Sequence, residues 1–488
     1  MNRIFSEQSD GGWPAFPFRS FARLDHFEPA DLGKANEAVF SFDAVDANWF
    51  STRFTQVFPA ATATMVQSRM AGAWKALFGT GSSGTLDFFD EIPVYNIEVT
   101  VQRGDAFWDV VIPIGDREDW VEIHLSDSGT FPVDVYGSIL ADPVHPYLQA
   151  ISPAPASASQ LLSALFDVGH WPDATDYEVD AVLKAARPFE TLAMYDVGQG
   201  SAIGLMDQAS TVNLYFDVGA GCYGNKHTRP SPLRFCWRGG PSIVLSHWDT
   251  DHWAGASSDR AARGHTWLAP RQSGLGPRHH LFAKRILKFG AKLRIWNAPK
   301  GTVRTVSTGV GQNLSIVKCS GKDMNGSGIA MVLDDASANS SWLLTGDAGY
   351  GEIGMAPAFS VSAVIAPHHG ADMTSRGGTP PPRPSGYARL LYSFGPDNKH
   401  GTSSISHPTS AAVAQHSAWS HGTWPSLGIA KRAAGGDVLA TACHPPATPA
   451  HLDSAAVGLS TRPSAPLRGL PCSAHGTPAG CTLDVSQA

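Results

Sequence analysis

The sequence predicts an α/β core preceded by a smaller α+β unit, and three observations predict it. Short apolar runs recur along the second half of the chain, and several of them deliver histidine or aspartate at their ends. Glycines sit at the turns that follow these runs, with helical stretches between them. The first 187 residues carry no such endings and read as a small sheet with a helix behind it.

The chain has 488 residues, a formal net charge of −7 and 16% charged side chains. That length allows two or three domains with ample core. The acidic balance supplies no global field for nucleic acid, so phosphate binding has to come from a metal or a local patch. No apolar run approaches the roughly 20 residues that a membrane-spanning helix needs. Met1–Asp10 lacks the layout of a secretory signal, and the expected location is the cytoplasm, off the membrane. The six cysteines, Cys222, Cys236, Cys319, Cys443, Cys472 and Cys481, form no C-x-x-C pair. Free thiols are therefore expected, with neither a disulfide framework nor a zinc ribbon.

Residues 1–187 are expected to form an N-terminal α+β domain that opens with Trp13, Phe16, Phe18 and Phe21. Strands are predicted at Val94–Gln102, Phe107–Ile114 and Trp120–Leu125, separated by the turn signals Arg103-Gly104-Asp105 and Gly115-Asp116. Ser152–Ser159 reads as a linker or helix lead-in. A helix is predicted over Thr175–Ala186, with Thr175 and Glu178 at capping-box spacing and Pro188 beyond its end. The acidic residues are dispersed and suggest no chemistry. Docking a protein partner or presenting substrate is the expected role.

The second unit begins at about Thr191, where the strand Leu192–Tyr195 runs into Asp196-Val197-Gly198-Gln199-Gly200-Ser201-Ala202. Val212–Phe216 ends in Asp217-Val218-Gly219, and Asp217 is expected to bond loop amides. The densest stretch is Ser246–Gly255, Ser-His-Trp-Asp-Thr-Asp-His-Trp-Ala-Gly, which follows the apolar Ile243–Leu245. His247, Asp249 and Asp251 alternate, so an extended chain would point them at one spot and turn His252 towards another. Imidazole and carboxylate donors without cysteine suit two divalent ions, zinc or manganese, in an open catalytic site. Charged groups at the end of a buried strand need such a partner to offset desolvation.

Later strands repeat the pattern. Leu314–Cys319, Ile329–Leu333 and Trp342–Thr345 lead to Gly346-Asp347, where Asp347 can bridge two ions or cap a helix. Val361–Ala366 leads to Pro367-His368-His369-Gly370. Adjacent histidines diverge, so one completes a metal site and the other faces substrate. Leu390–Phe394 precedes a polar loop with Asn398 and Lys399, then His407-Pro408. His407 is a site candidate or belongs to the turn capping a helix near Thr409–Trp419. The densest basic segment is a predicted helix at about His279–Phe289, where Lys284, Arg285 and Lys288 share a face. These three are candidates for substrate backbone contact, beside the plainer reading of a solvated face. Residues 441–488 are expected to be a partly disordered Ala/Pro-rich tail, with an edge strand at Ala456–Leu459 or Thr482–Val485.

The Ser-His-x-Asp-x-Asp-His-x-x-Gly stretch resembles the signature of the metallo-β-lactamase fold. With Asp-Val-Gly-Gln-Gly, Leu-Leu-Thr-Gly-Asp and His407-Pro408 it looks most like the hydrolase domain of ComEC-type competence proteins. Ser201 stands where those domains carry aspartate, and Ser406 where they carry glycine. The resemblance spans about Thr191 to Trp424 and implies an αββα sandwich within a 188–440 domain, with metals at one edge. It implies Asp347 as the bridging ligand and His369 as the ligand of the histidine pair. On this reading His247, Asp249 and Asp347 hold one ion, and Asp251, His252, His369 and the shared Asp347 hold the other. Asp249 in a histidine position hardens the first site towards manganese. Two ions sharing a water, its pKa brought from about 15.7 towards about 7, would supply the nucleophile for a phosphodiester. Asp251 would orient it, and His368 and His407 would stabilise charge or protonate the leaving oxygen. The resemblance points to DNA as substrate. The net acidity points to a small-molecule phosphodiester or nucleotide signal, and a third reading is a non-catalytic metal-binding scaffold or sensor.

Overall fold

In the computed structural model, which describes residues 2–5, 14–29, 36–114, 119–383, 388–419, 438–442 and 455–458, the chain divides into two units. The first comprises Met1–Pro172, Gln272–Leu293 and Lys399–Ile405. Its sheet is antiparallel, built from β1 (Arg19–Pro29), β2 (Glu37–Asp46), β3 (Val94–Gln102), β4 (Trp120–Ser126), β5 (Asp134–Tyr136) and β6 (Tyr147–Pro153) in the order β5-β3-β2-β1-β4-β6. Alternation decides the buried face: Ala38, Phe40, Phe42 and Ala44 of β2 share a core with Ile97, Val99 and Ile123. A helix at Ala63–Thr80 starts where Thr62 Oγ1 accepts from the Met65 amide and stops at Gly81 in the left-handed region.

Phe107–Ile114 corrects the sequence reading. It is a helix, Trp108–Val111, running into a 3-10 turn, Ile112–Ile114. Asp105 accepts from the Gln102 amide at 2.6 Å and closes a turn just before it, and Pro113 has no N–H for a strand ladder. The apolar run lacks the period-two alternation that would have marked a strand.

The basic helix, Pro277–Lys288, belongs to this first unit, and its charges are engaged there. Lys284 is buried and lies 3.0 Å from Asp90, Lys288 pairs with Asp87, and the Arg285 guanidinium sits 4.6 Å from the Phe5 ring centroid. Lys284, Arg285 and Lys288, offered by the sequence for substrate contact or as a solvated face, thus have partners among acidic and aromatic residues about 200 or more positions earlier. Arg278 pairs with Asp25, both buried, and its amide donates to Asp43 Oδ2 at 2.9 Å. Burial draws the Arg278 guanidinium down to about 9 and pushes the Asp43 carboxyl well up.

His280, on the same helix, lies among Trp74, Phe166 and Trp171 at centroid distances of 5.7, 5.4 and 4.9 Å. Burial pulls its imidazole down to about 3. An unfolded imidazole titrates near 6.5, so below about that pH the unfolded chain takes up a proton that the folded unit refuses. Stability should fall as pH drops from about 6.5 towards about 3, and His280→Leu should flatten that slope. Urea unfolding at about pH 7 and about pH 4.5 checks this; an unchanged slope would assign the acid sensitivity to other groups.

The second unit comprises Asp173–Arg271, Arg294–Asn398 and Ser406–Ala488. The sequence reading put the first boundary at 187. It falls at 172 because the capped helix Asp176–Lys184 buries Val179, Val182 and Leu183 in this unit's core. One sheet holds β7 (Thr191–Met194), β8 (Ala202–Met206), β9 (Val212–Val218), β10 (Ser242–Val244), β11 (Trp267–Pro270) and β12 (Leu293–Trp296). The other holds β13 (Val303–Gly309), β14 (Gln312–Lys318), β15 (Ile329–Asp335), β16 (Ser340–Leu344), β17 (Val361–Ile365), β18 (Arg389–Tyr392) and β19 (Val438–Ala440), paired in that order. β20 (Ala455–Gly458) pairs antiparallel with β7 and overlaps the predicted edge strand. One apolar cluster draws on both sheets, with Leu205, Phe216 and Val244 from the first and Leu314, Met331 and Trp342 from the second. A further cluster, with Leu343, Val364, Leu390, Val413 and Trp419, covers the outer face of the second sheet. Two sheets face to face with helices outside make an αββα sandwich.

Thr482–Val485 and most of the 441–488 tail lie outside the described residues. Cys319 is a free thiol, whereas Cys236 is disulfide-bonded, which corrects the expectation of free thiols throughout. Its bond partner is not among the described residues, and scattered spacing says nothing of which thiols meet in space. Among the described residues no helix is long and apolar enough to cross a membrane.

Candidate metal centre

Four strand ends of the second unit build the site. Near the end of β9 stands Asp217, whose left-handed φ of 64° turns its buried carboxylate across to the neighbouring loop. There Oδ1 accepts from the Ser246 amide at 2.7 Å, while Oδ2 accepts from Ser246 Oγ at 2.8 Å and from His252 Nδ1 at 2.8 Å. The expected role of Asp217, bonding loop amides, thus includes orienting an imidazole.

The strand geometry stops at Val244, and Thr250–His252 winds into a 3-10 turn. This alters the predicted grouping. Asp249 caps the turn, accepting from the Thr250 amide at 2.7 Å, and belongs to none of the clusters of potential ligands found among the described residues. His252 swings in where alternation alone would have placed Asp249. Two of those clusters meet at these strand ends, one of His247, His252 and Asp347 and one of Asp251, His252 and His369.

β16 delivers Asp347 through Gly346, whose φ of +57° favours glycine and whose missing side chain lets the turn approach Ser246; a Cβ there would lie 2.7 Å from Ser246 Cβ. Asp347 is buried, with carboxylate oxygens 3.1 Å from His252 Nε2, 3.7 Å from His247 Nε2, 3.7 Å from His368 Nε2 and 3.9 Å from His369 Nε2. β17 delivers His368 and His369 in left-handed backbone, φ 47° and 54°, a conformation that costs about 1–3 kcal/mol per non-glycine residue and is upheld by the packing around it. His369 Nε2 lies 3.0 Å from Asp251 Oδ2.

The three imidazoles share one tautomer. His369 Nδ1 donates to Ser393 O at 2.8 Å, His252 Nδ1 donates to Asp217, and His247 Nδ1 is 3.0 Å from Ser246 Oγ, whose own proton goes to Asp217. Each Nε2 is buried and turned towards the carboxylates, with His369 Nε2 beside Asp251. That is the orientation a ligating histidine takes. Burial alone would lower His252 and His369, but Asp347 with Asp217 and Asp251 raises His252 well above its usual value, and Asp347 with Asp251 raises His369. His247 is lowered by burial and by His252. Against the pull of burial, His252, His368, His369 and His247 hold the Asp347 carboxyl well below the usual range. The residues fit divalent cations: nitrogen and oxygen donors, no thiolate, and a field that favours positive charge.

His407 is buried, its ring centroid 5.4 Å from that of His368. Asn398 brackets its backbone, accepting from the His407 amide at 2.7 Å and donating to its carbonyl at 2.6 Å. Ser201, which stands where the resemblance has aspartate, works through its backbone: its amide donates to Asp251 O at 3.3 Å and its carbonyl accepts from Gly219 at 2.7 Å. Sequence reasoning missed Ser246 and Ser393, the first because a serine beside a ligand is unremarkable and the second because it acts through its carbonyl.

The fold and donor set together define an αββα sandwich with clusters of potential metal ligands at its strand ends. No family model matches the sequence, and no curated protein matches it. Among solved structures the chain is similar to Zn(2+)-bound PqqB from Methylobacterium extorquens, at 11% identity over 36% of this chain and 71% of that one, with a TM-score of 0.25. It is also similar to ST1585 from Sulfolobus tokodaii, an archaeal metallo-beta-lactamase superfamily protein, at 14% identity over 33% and 64%, TM-score 0.21. A protein of unknown function from Enterococcus faecalis V583 is similar at 9% identity over 36% and 49%, TM-score 0.20. The chain thus spans less than two thirds of the latter two. At these TM-scores none of the three bears on the chemistry of the site.

Proposed function

We propose that this protein is a metal-dependent hydrolase of phosphodiester bonds, with a small phosphodiester or nucleotide a better fit than a DNA strand. The observation that carries the reading is the convergence of three buried Nε2 atoms, on His247, His252 and His369, upon Asp251 and Asp347. His252 belongs to both clusters, yet one nitrogen lone pair serves one ion. Asp347, with oxygens near all three imidazoles, would hold a cation together with them. Bound divalent ions would supply Lewis acidity and acidify a water towards neutrality.

The chain's own residues then divide the remaining work. Asp251, the more exposed of the two carboxylates, is placed to take up and orient the attacking water's proton. His368, beside Asp347 and His407, is placed to stabilise phosphate charge or protonate the leaving oxygen. The motif resemblance supports a phosphodiester and DNA. The engagement of Lys284, Arg285 and Lys288 with Asp90, Phe5 and Asp87 removes the cation patch that favoured the polymer.

Elemental analysis of the purified protein, with assays on a small chromogenic phosphodiester and on linear DNA, tests this. Chelation is expected to abolish turnover and added manganese or zinc to restore it, with the small diester turned over faster per bond than DNA. Faster cleavage of DNA would favour the nuclease reading. An absence of bound metal, with no turnover on adding either ion, would leave a non-catalytic scaffold.

A further inference from the structure

We infer that His416, with Tyr350 and Tyr392, forms a positioning triad that fixes two of the turns carrying metal ligands, an inference that rests on the metal-centre reading above. All three side chains are buried. The imidazole lies between the phenols, with Tyr350 Oη 2.8 Å from Nε2 and Tyr392 Oη 2.5 Å from Nδ1. Both phenol rings stand nearly perpendicular to it, at 89° and 88°. A neutral imidazole has one donor and one acceptor nitrogen, so it donates to one phenol and accepts from the other. Burial pushes both phenols upward, so each keeps its proton.

None of the three belongs to the donor set, but each is tied to a segment that carries it. Tyr350 opens a short helix, Tyr350–Ile353, three residues after Asp347. Tyr392 closes β18, and the next carbonyl, Ser393 O, is the acceptor that sets the tautomer of His369. The Tyr392 ring also walls the turn after His369, where a Cβ on Gly370 would lie 2.8 Å from it. His416 caps the helix Ser410–Gln415, and just before that helix the Thr409 amide donates to Gly370 O at 2.8 Å. The triad thus joins the segments of Asp347, His369 and His407 from behind. Apolar packing could fill the same volume, but only directional bonds fix the rotation of the turns.

Tyr350→Phe and Tyr392→Phe remove the hydroxyls and keep the rings, so they test positioning with little loss of packing. Titration calorimetry of manganese and of zinc into the metal-free full-length protein is expected to show affinity about tenfold weaker in each variant. The double variant should fall short of the product of the two. At limiting metal kcat should drop with KM unchanged, and urea unfolding of the metal-free forms should shift little. Affinities within about twofold of wild type in both variants would overturn the triad while leaving the metal reading standing. A wild-type protein that binds neither ion would overturn both.

Discussion

Asp347→Ala is expected to lower turnover by more than about 100-fold, beyond the 10–100-fold that loss of an outer-shell partner brings. Its carboxylate is the one group within 4 Å of the Nε2 atoms of His247, His252, His368 and His369, and it is buried. Removing it takes away the negative charge that the imidazoles face, so metal content should fall along with activity. Asp249→Ala is the informative contrast. That carboxylate caps the Thr250 turn and lies outside both ligand clusters, so the variant should keep its metal. Elemental analysis of the two variants separates the assignments: metal lost from Asp249→Ala and kept by Asp347→Ala would reverse them.

Gly219→Ala is expected to cost about 3 kcal/mol of stability and to take activity with it. An added Cβ would lie 1.8 Å from the carbonyl oxygen of Asp251 and 2.6 Å from that of Ser201, and both obstacles are backbone. Relief requires moving the turn that carries Asp251 and His252. Gly264→Ala, where an added Cβ meets nothing within 4 Å, is the control and should be near neutral. Urea unfolding midpoints of the pair check the difference, and a wild-type midpoint for Gly219→Ala would show that the Asp251 turn yields more readily than its contacts indicate.

Much of the site was legible before any coordinates because buried strands must be apolar and their ends need not be. Wherever an apolar run stopped at histidine or aspartate, as at Leu245, Thr345 and Ala366, the structure brings donors together. Asp249 and His252 were harder to tell apart, since the choice depends on a 3-10 turn and alternation speaks only for extended chain. The basic helix was read from one side: its charges are visible in sequence, but Asp87, Asp90 and Phe5 reach it only through tertiary folding. The triad around His416 was illegible for the same reason, because two tyrosines and a histidine far apart in the chain carry no shared pattern.

The threading of the chain has a practical consequence. Residues 272–293 leave the sandwich, contribute Arg278, His279 and His280 to the interior of the first unit, and return to the sandwich at residue 294. Deleting residues 1–172 would therefore not free a self-contained second unit. It would strip the covering from a helix whose inward face carries an arginine and two histidines, leaving a sticky, charged excursion in the middle of the fragment. Shortening this protein calls for bridging residues 271 and 294 as well as trimming its start.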